Sequence, residues 1–261
     1  MTAYVFGDND MAAQRLCLLA EIYDASTRAF VRAWARPRRR EVVDLGCALG
    51  YTTRLLAEEL QGEHTVGFDT SAPFIAWAQR ESGAGGNLTY MCHDVTQVPF
   101  PITPVDVLFC RLLLTHMVNP AALIASWATQ LRPGGLMLME EVEWIRTNGA
   151  VFAAYLDMQR ALLQHQGNCL DIGSMLDALP VPPLLRKRAS NVRQTPVPAS
   201  QAATMFALNY HTWQHHPFVQ STFATAQIQQ IEQDLQALMT EPRDDIEIEW
   251  GMRQLAYERI G

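Results

Sequence analysis

One run, Glu41-Val-Val-Asp-Leu-Gly-Cys-Ala-Leu-Gly-Tyr-Thr-Thr53, constrains this chain more than any other. Val42 and Val43 are β-formers that lead into Asp44. A tight turn follows at once, with Gly46, Ala48 and Gly50 at alternate positions. Thr53-Arg-Leu-Leu-Ala-Glu-Glu-Leu60 then has helical composition, with Gly62 as its expected stop. A buried strand that ends in an acid and turns tightly into a helix is the layout of a nucleotide-cofactor site. The helix N-terminus presents its unpaired amides to the ligand.

The residues in the turn select among nucleotides. A dinucleotide fingerprint requires G-x-G-x-x-G, so that backbone can approach a pyrophosphate. Here the three glycine positions hold Gly46, Ala48 and Tyr51, and the tyrosine fits close helix-to-strand packing poorly. Asp44 would repel a pyrophosphate as well. The same carboxylate suits a ligand that carries an ammonium group. S-adenosylmethionine carries one, together with a sulfonium and a nucleoside, and it has no phosphate.

Two further strand ends repeat the pattern. His64-Thr-Val-Gly-Phe-Asp69 reads as a second strand ending in an acid, followed by Thr70. A carboxylate there can accept hydrogen bonds from both ribose hydroxyls. Ser71 is placed to cap the next helix, with Pro73 in its first turn. Leu88-Thr-Tyr-Met-Cys-His-Asp94 reads as a third such strand. Asp94 can accept from an adenine amino group, and the Val95 amide can donate to the ring.

With these pieces in order, the chain resembles the class I S-adenosylmethionine-dependent methyltransferases. The resemblance rests on Val43-Asp-Leu-Gly-Cys-Ala-Leu-Gly50, Val66-Gly-Phe-Asp69, Cys92-His-Asp94 and Val98-Pro-Phe100. Asp106 to Met117 and Leu131 to Glu141 complete it. It is strong over roughly residues 40 to 145. Tyr4-Val-Phe-Gly7, Gln14-Arg-Leu16 and Asp171-Ile-Gly173 resemble a bacterial small-molecule subgroup. Ala48 departs from the family, which usually has glycine there. The resemblance implies that Tyr4 covers the cofactor, that the Arg111 backbone lies beside the methionine moiety, and that His116 forms a cofactor shelf. The fold implied is α/β, a Rossmann-like doubly wound seven-stranded sheet with a helical cap.

Three regions follow: an N-terminal helical cap over 1–40, a cofactor-binding core over 41–145, and a remainder over 146–261 with inserted helices that form an acceptor cap. Residues 1 to 36 read as helical, with Asp10 as a cap and Leu16, Leu19 and Ile22 as an apolar side. Pro133-Gly134-Gly135 is expected as a turn into a fifth strand, Leu136 to Glu141. Helices are expected over Ala150 to Leu163, Ile172 to Leu179, about 199 to 216 and about 221 to 240. The last two fall between a sixth strand, 190 to 196, and a final strand, Asp245 to Tyr257, which should pair as an antiparallel hairpin.

Composition narrows the partners. The net charge is −7, and Lys187 is the single lysine, so no broad basic surface points to nucleic acid. Arg36, Arg38, Arg39 and Arg40 cluster before the first strand, as a solvated loop would. The five cysteines (17, 47, 92, 110 and 169) have neither C-x-x-C nor metal spacing. Cys47, Cys92 and Cys110 are expected as small buried fillers in a reducing cytoplasm. No apolar run reaches membrane length. A small-molecule acceptor, no metal, no membrane and a monomer or homodimer are expected.

Candidates for the acceptor side lie in Asn209-Tyr-His-Thr-Trp-Gln-His-His216. Tyr210, His211 and Trp213 could line a pocket for a planar substrate, with His211 or His215 as base; an interhelical packing face is the alternative. Glu141, at the end of the fifth strand, could bind an amine or accept a proton, although Glu140 or Glu143 could equally be the inward residue. The fourth strand is followed by Cys110-Arg-Leu-Leu113, without the Asn/Asp-Pro-Pro-Tyr signature of amino-group methyltransferases acting on DNA bases or glutamine. The expected activity is methyl transfer to a small planar or aromatic metabolite at C, N or O. The alternative is a cyclase that binds the cofactor without transferring its methyl.

Overall fold

The structure, a computed structural model, describes residues 10–35, 40–83, 86–241 and 243–261. Its centre is a seven-stranded sheet in the order β3-β2-β1-β4-β5-β7-β6. Strands β1 (Glu41–Leu45), β2 (His64–Asp69), β3 (Leu88–Cys92), β4 (Val105–Arg111) and β5 (Leu131–Thr147) are parallel. Strand β7 (Ile248–Arg259) runs antiparallel between β5 and β6 (Leu185–Pro196). Val43, Val66 and Leu108 on the central strands are wholly buried, as both faces of a covered parallel sheet require. The strand order reverses between β1 and β4, and a crevice opens at the carboxyl ends there.

Helices cover both faces and close over this crevice. α1 (Asp10–Trp34) precedes the sheet, and α2 (Tyr51–Leu60), α3 (Ala72–Ser82) and α4 (Pro120–Ala128) connect its parallel strands. α5 (Ala150–His165) and α6 (Gly173–Ala178) lead into β6, and α7 (Ala199–Trp213), α8 (Pro217–Thr222) and α9 (Thr225–Thr240) lie between β6 and β7. The predicted N-cap at Ser71 is present: its hydroxyl accepts the Phe74 N–H at 3.3 Å. α2 stops before the expected glycine, at Gln61, whose left-handed backbone donates its N–H to Ala57.

The fifth strand is longer than expected at both ends. Pro133 to Gly135 form a bulge inside it, and it runs on from Glu141 to Thr147. The reason is its second neighbour. β4 turns away at Leu112, whose φ is +56°, whereas β7 keeps pairing with β5 as far as Thr147. The sixth strand begins at Leu185, not 190, because a mostly exposed edge strand shows no apolar alternation to mark it. Cys92 is exposed, so only Cys47 and Cys110 are the buried fillers expected. Arg40 is exposed, whereas Arg36, Arg38 and Arg39 lie outside the described residues.

A buried polar network ties α1 to the sheet. Thr27 Oγ1 donates to Glu140 Oε2 at 2.7 Å, and Gln254 Nε2 donates to Glu140 Oε1 at 2.7 Å. Arg111 Nη1 donates to Thr27 Oγ1 at 3.0 Å. Burial pushes the Glu140 carboxyl pKa up, while the Arg111 charge and the two donors pull it back.

Candidate functional site

A cavity of about 820 Å³ opens at the carboxyl ends of the strands. That is toward the upper end of the ~300–1,000 Å³ usual for small-molecule sites. One half is built by the parallel strand ends, the other by α1, α5, α7 and the β5–β7 extension.

The strand-end half starts at the turn after β1. The Gly46 and Cys47 amides both donate to the Phe68 carbonyl, at 2.8 and 2.9 Å, which pins the turn against β2. This approach explains Gly67 in the middle of β2: a Cβ there would lie 2.8 Å from Cys47 Sγ and Thr53 Oγ1. Gly46 has φ +72°, and a Cβ on it would meet Leu113 Cδ1 at 2.9 Å. Ala48 takes φ +45°, a left-handed conformation that explains why glycine would suit the position. Asp69 then fixes the turn. Its Oδ2 accepts the Ala48 N–H at 2.9 Å, and its Oδ1 accepts the Ser71 N–H at 2.8 Å. Asp94 Oδ1 accepts from both the Thr96 amide and hydroxyl, and the Val95 carbonyl accepts from Trp127 Nε1 at 2.8 Å. Asp69, Thr70, Asp94, Val95, Gly46, Cys47, Ala48, Arg111 and His116 all face the cavity.

Asp44 sits one layer deeper. It is 1% exposed, is not part of the cavity wall, and accepts Thr53 Oγ1 at 2.7 Å. Burial raises its pKa to about 7, against the Thr53 and Thr52 hydroxyls that stabilise its anion. In this structure it braces α2 on β1 beneath the turn. Gly50 is likewise behind the wall, where a Cβ would strike the Tyr90 ring at 2.5 Å.

The other half is mainly apolar. Leu16, Leu19, Ile145, Leu163, Phe206 and Trp250 contribute to it, and the Phe206 and Trp250 rings lie 5.6 Å apart. The half-buried leucines of α1 are those the apolar spacing singled out. Arg15, Tyr23, Gln159 and Asn209 are its buried polar members. His116 lies in the 3₁₀ turn Leu114–His116 at the junction. Burial, helped by the Arg15 charge, pushes its imidazole pKa down to about 3. It is therefore uncharged at neutral pH and a weak base.

The three residues singled out for catalysis do not meet here. His211 is exposed and lines a separate crevice of about 60 Å³ with α9 residues Glu232, Leu235 and Gln236. Tyr210 is 1% exposed, inside the helical cap, where its hydroxyl donates to the Ile228 carbonyl at 3.0 Å. Tyr210 and His211 both border that small crevice, whereas Phe206 and Asn209 on the same helix line the large cavity. Glu141 is buried and absent from the cavity wall; its Oε1 accepts the Leu113 and Leu114 amides at 2.8 and 2.7 Å. It shapes the loop after β4 instead of facing an acceptor. Tyr4 lies outside the described residues. Phe206, Trp250, Tyr23 and Arg15 were not identified from sequence. Phe206 and Trp213 are seven residues apart, which is helical spacing for one face, but nothing local tells which way that face turns.

Comparisons with known proteins agree with this geometry. Residues 43–139 match the family described as "Methyltransferase domain". Phosphoethanolamine N-methyltransferase 1 from Arabidopsis thaliana is 28% identical over 133 residues, covering 50% of this chain. The match spans only 27% of that relative's length. A solved structure from Bacillus halodurans C-125, described as a candidate methyltransferase, superimposes with a TM-score of 0.59 at 17% identity. It covers 90% of this chain and 100% of that one. A (4+2)-cyclase, SpnF, superimposes with a TM-score of 0.53 at 17% identity, covering 90% of this chain and 81% of that one. At such identities the structural likeness speaks for the fold alone.

Proposed function

We propose, from the premise that residues 43–139 are a methyltransferase domain of the class I S-adenosylmethionine-dependent type, that this protein methylates a small, flat, largely apolar acceptor. One observation carries the reading: a single cavity joins the Asp69–Asp94 strand ends to an aromatic wall of Phe206 and Trp250. The residues present suit the cofactor. Asp69 is oriented by two backbone amides and faces the cavity where ribose hydroxyls would bind, and Asp94 with Val95 stands where adenine would lie. Bound there, S-adenosylmethionine supplies a methyl group on a positively charged sulfur.

The protein's own contribution is then placement and dryness. Leu112 and Leu113 at the junction, with Phe206 and Trp250, exclude water and hold an acceptor in line. Orientation of this kind can lower a barrier by about 7–11 kcal/mol. His116 is too weak a base to contribute much, so acceptors whose attacking atom is already nucleophilic at neutral pH are favoured. The phosphate-bearing acceptor named for the plant relative is not carried over, because this half of the wall is mainly apolar and Arg111, at its junction, is already engaged by Thr27.

Incubation with methyl-labelled cofactor and a panel of flat acceptors tests the reading. Label in a product supports it; product formed while the cofactor is recovered intact would support the cyclase chemistry instead.

A further inference from the structure

Among the described residues, Tyr23 and Asn209 each bring to the acceptor half of the cavity a buried polar atom whose hydrogen bond is unmade. Tyr23, on α1, is 1% exposed, and its hydroxyl has no partner among the described residues. Asn209, on α7, is 5% exposed; its side chain engages Tyr155, and its Oδ1 has no partner among the described residues. Both side chains line the cavity, and α1 packs directly against α7. Leaving a buried polar atom unpaired costs about 1–3 kcal/mol, so such atoms in a binding cavity point to the ligand that completes them.

The chemistry of the two groups restricts that ligand. A tyrosine hydroxyl both donates and accepts, and a carboxamide does one or the other depending on which way it is turned. A neutral hydroxyl satisfies either group in any orientation. A carboxylate accepts only, so it can pair with the Tyr23 hydroxyl but cannot donate to Asn209 Oδ1 in the orientation described. Around these two positions the wall is Phe206, Trp250, Leu163 and Ile145, which suits an aromatic or polycyclic skeleton. Arg15 and Arg111 share the cavity, so a competing anionic class must be tested directly.

Resting on the methyltransferase reading above, we infer that Tyr23 and Asn209 are specificity residues that select a neutral, hydroxylated aromatic acceptor. Discrimination comes from the protein side. An acceptor without a hydroxyl leaves the polar atom it covers unpaired, which is how such a site rejects a near-isostere.

The test uses the full chain saturated with S-adenosylhomocysteine, titrated calorimetrically with 2-naphthol, 2-methylnaphthalene and 2-naphthoate. Binding of S-adenosylhomocysteine is measured first, and its failure would overturn the cofactor reading rather than this one. The expected result is that 2-naphthol binds on the order of tenfold more tightly than 2-methylnaphthalene and more tightly than 2-naphthoate. Tyr23→Phe, which removes one oxygen and keeps the ring, and Asn209→Leu should each reduce that advantage several-fold at unchanged S-adenosylhomocysteine affinity. Equal affinities, a preference for 2-naphthoate, no binding of any probe, or an advantage that survives both substitutions would overturn the inference.

Discussion

The Asp69 carboxylate accepts the Ala48 backbone N–H at 2.9 Å, so the end of β2 holds the turn that follows β1. Its other oxygen takes the Ser71 N–H at 2.8 Å, which fixes the orientation of the carboxylate before any ligand arrives. Asp69→Ala removes both anchors and the charged ribose acceptor together. The expected outcome is a loss of S-adenosylhomocysteine affinity on the order of tenfold to a hundredfold, at about 1.5–3 kcal/mol for a hydrogen bond to a charged group. Calorimetry reads it directly, and an unchanged dissociation constant would remove Asp69 from the site.

Glu141 controls the loop after β4 through two amides and should make stability depend on pH. Burial pushes its pKa from an ordinary 4.5 up to about 7. For an acid raised on folding, the contribution is fully present below the unfolded value and lost as pH climbs through the folded one. Wild-type stability should therefore fall between about pH 5 and pH 8, by up to ~3 kcal/mol from this group. Glu141→Gln keeps an oxygen for the amides, and its urea midpoint should fall less over the same range. A slope equal to wild type would contradict the assignment. Glu141→Leu strands both amides and should destabilise the protein at every pH.

The network at Glu140 predicts a different pair of results. Thr27→Val leaves Glu140 Oε2 without its 2.7 Å donor inside the protein, at a cost of about 1–3 kcal/mol. Thr27→Ser restores the hydroxyl and should recover most of that loss. Urea denaturation of the two variants checks it, and equal destabilisation would mean that the methyl packing matters more than the hydrogen bond.

α7 separates two kinds of substitution. His211→Ala alters an exposed side chain away from the cavity, so turnover and cofactor affinity should match wild type. Phe206→Ala removes a buried ring from the aromatic wall and should raise acceptor KM while also costing about 3–5 kcal/mol of stability. Steady-state kinetics at a temperature well below the variant's Tm distinguishes them. Slow turnover in the His211 variant would return it to the site.

Local chemistry made the strand-end half of the cavity legible. The strand ends Asp69 and Asp94, the Ser71 cap and the Gly46 turn are each written within a few neighbouring residues. The mainly apolar half is assembled from segments far apart in the chain, so Tyr23, Asn209 and Trp250 come to one cavity only through tertiary packing. The errors share that origin. His211 and Tyr210 were grouped by composition, but which of them is buried and which exposed depends on what α7 packs against. Strand β5 overran its expected end because its second neighbour comes from the last strand, more than a hundred residues later. Asp44 was read as a ligand contact, whereas Thr53 one turn on engages it from within the core.

Co-crystallisation with S-adenosylhomocysteine tests the central claim most directly. The account predicts ribose hydroxyls on the Asp69 carboxylate, adenine beside Asp94 and Val95, and sulfur directed toward the wall of Phe206 and Trp250. Electron density that places the nucleoside elsewhere, or a strand-end cavity that stays empty at saturating ligand, would contradict it.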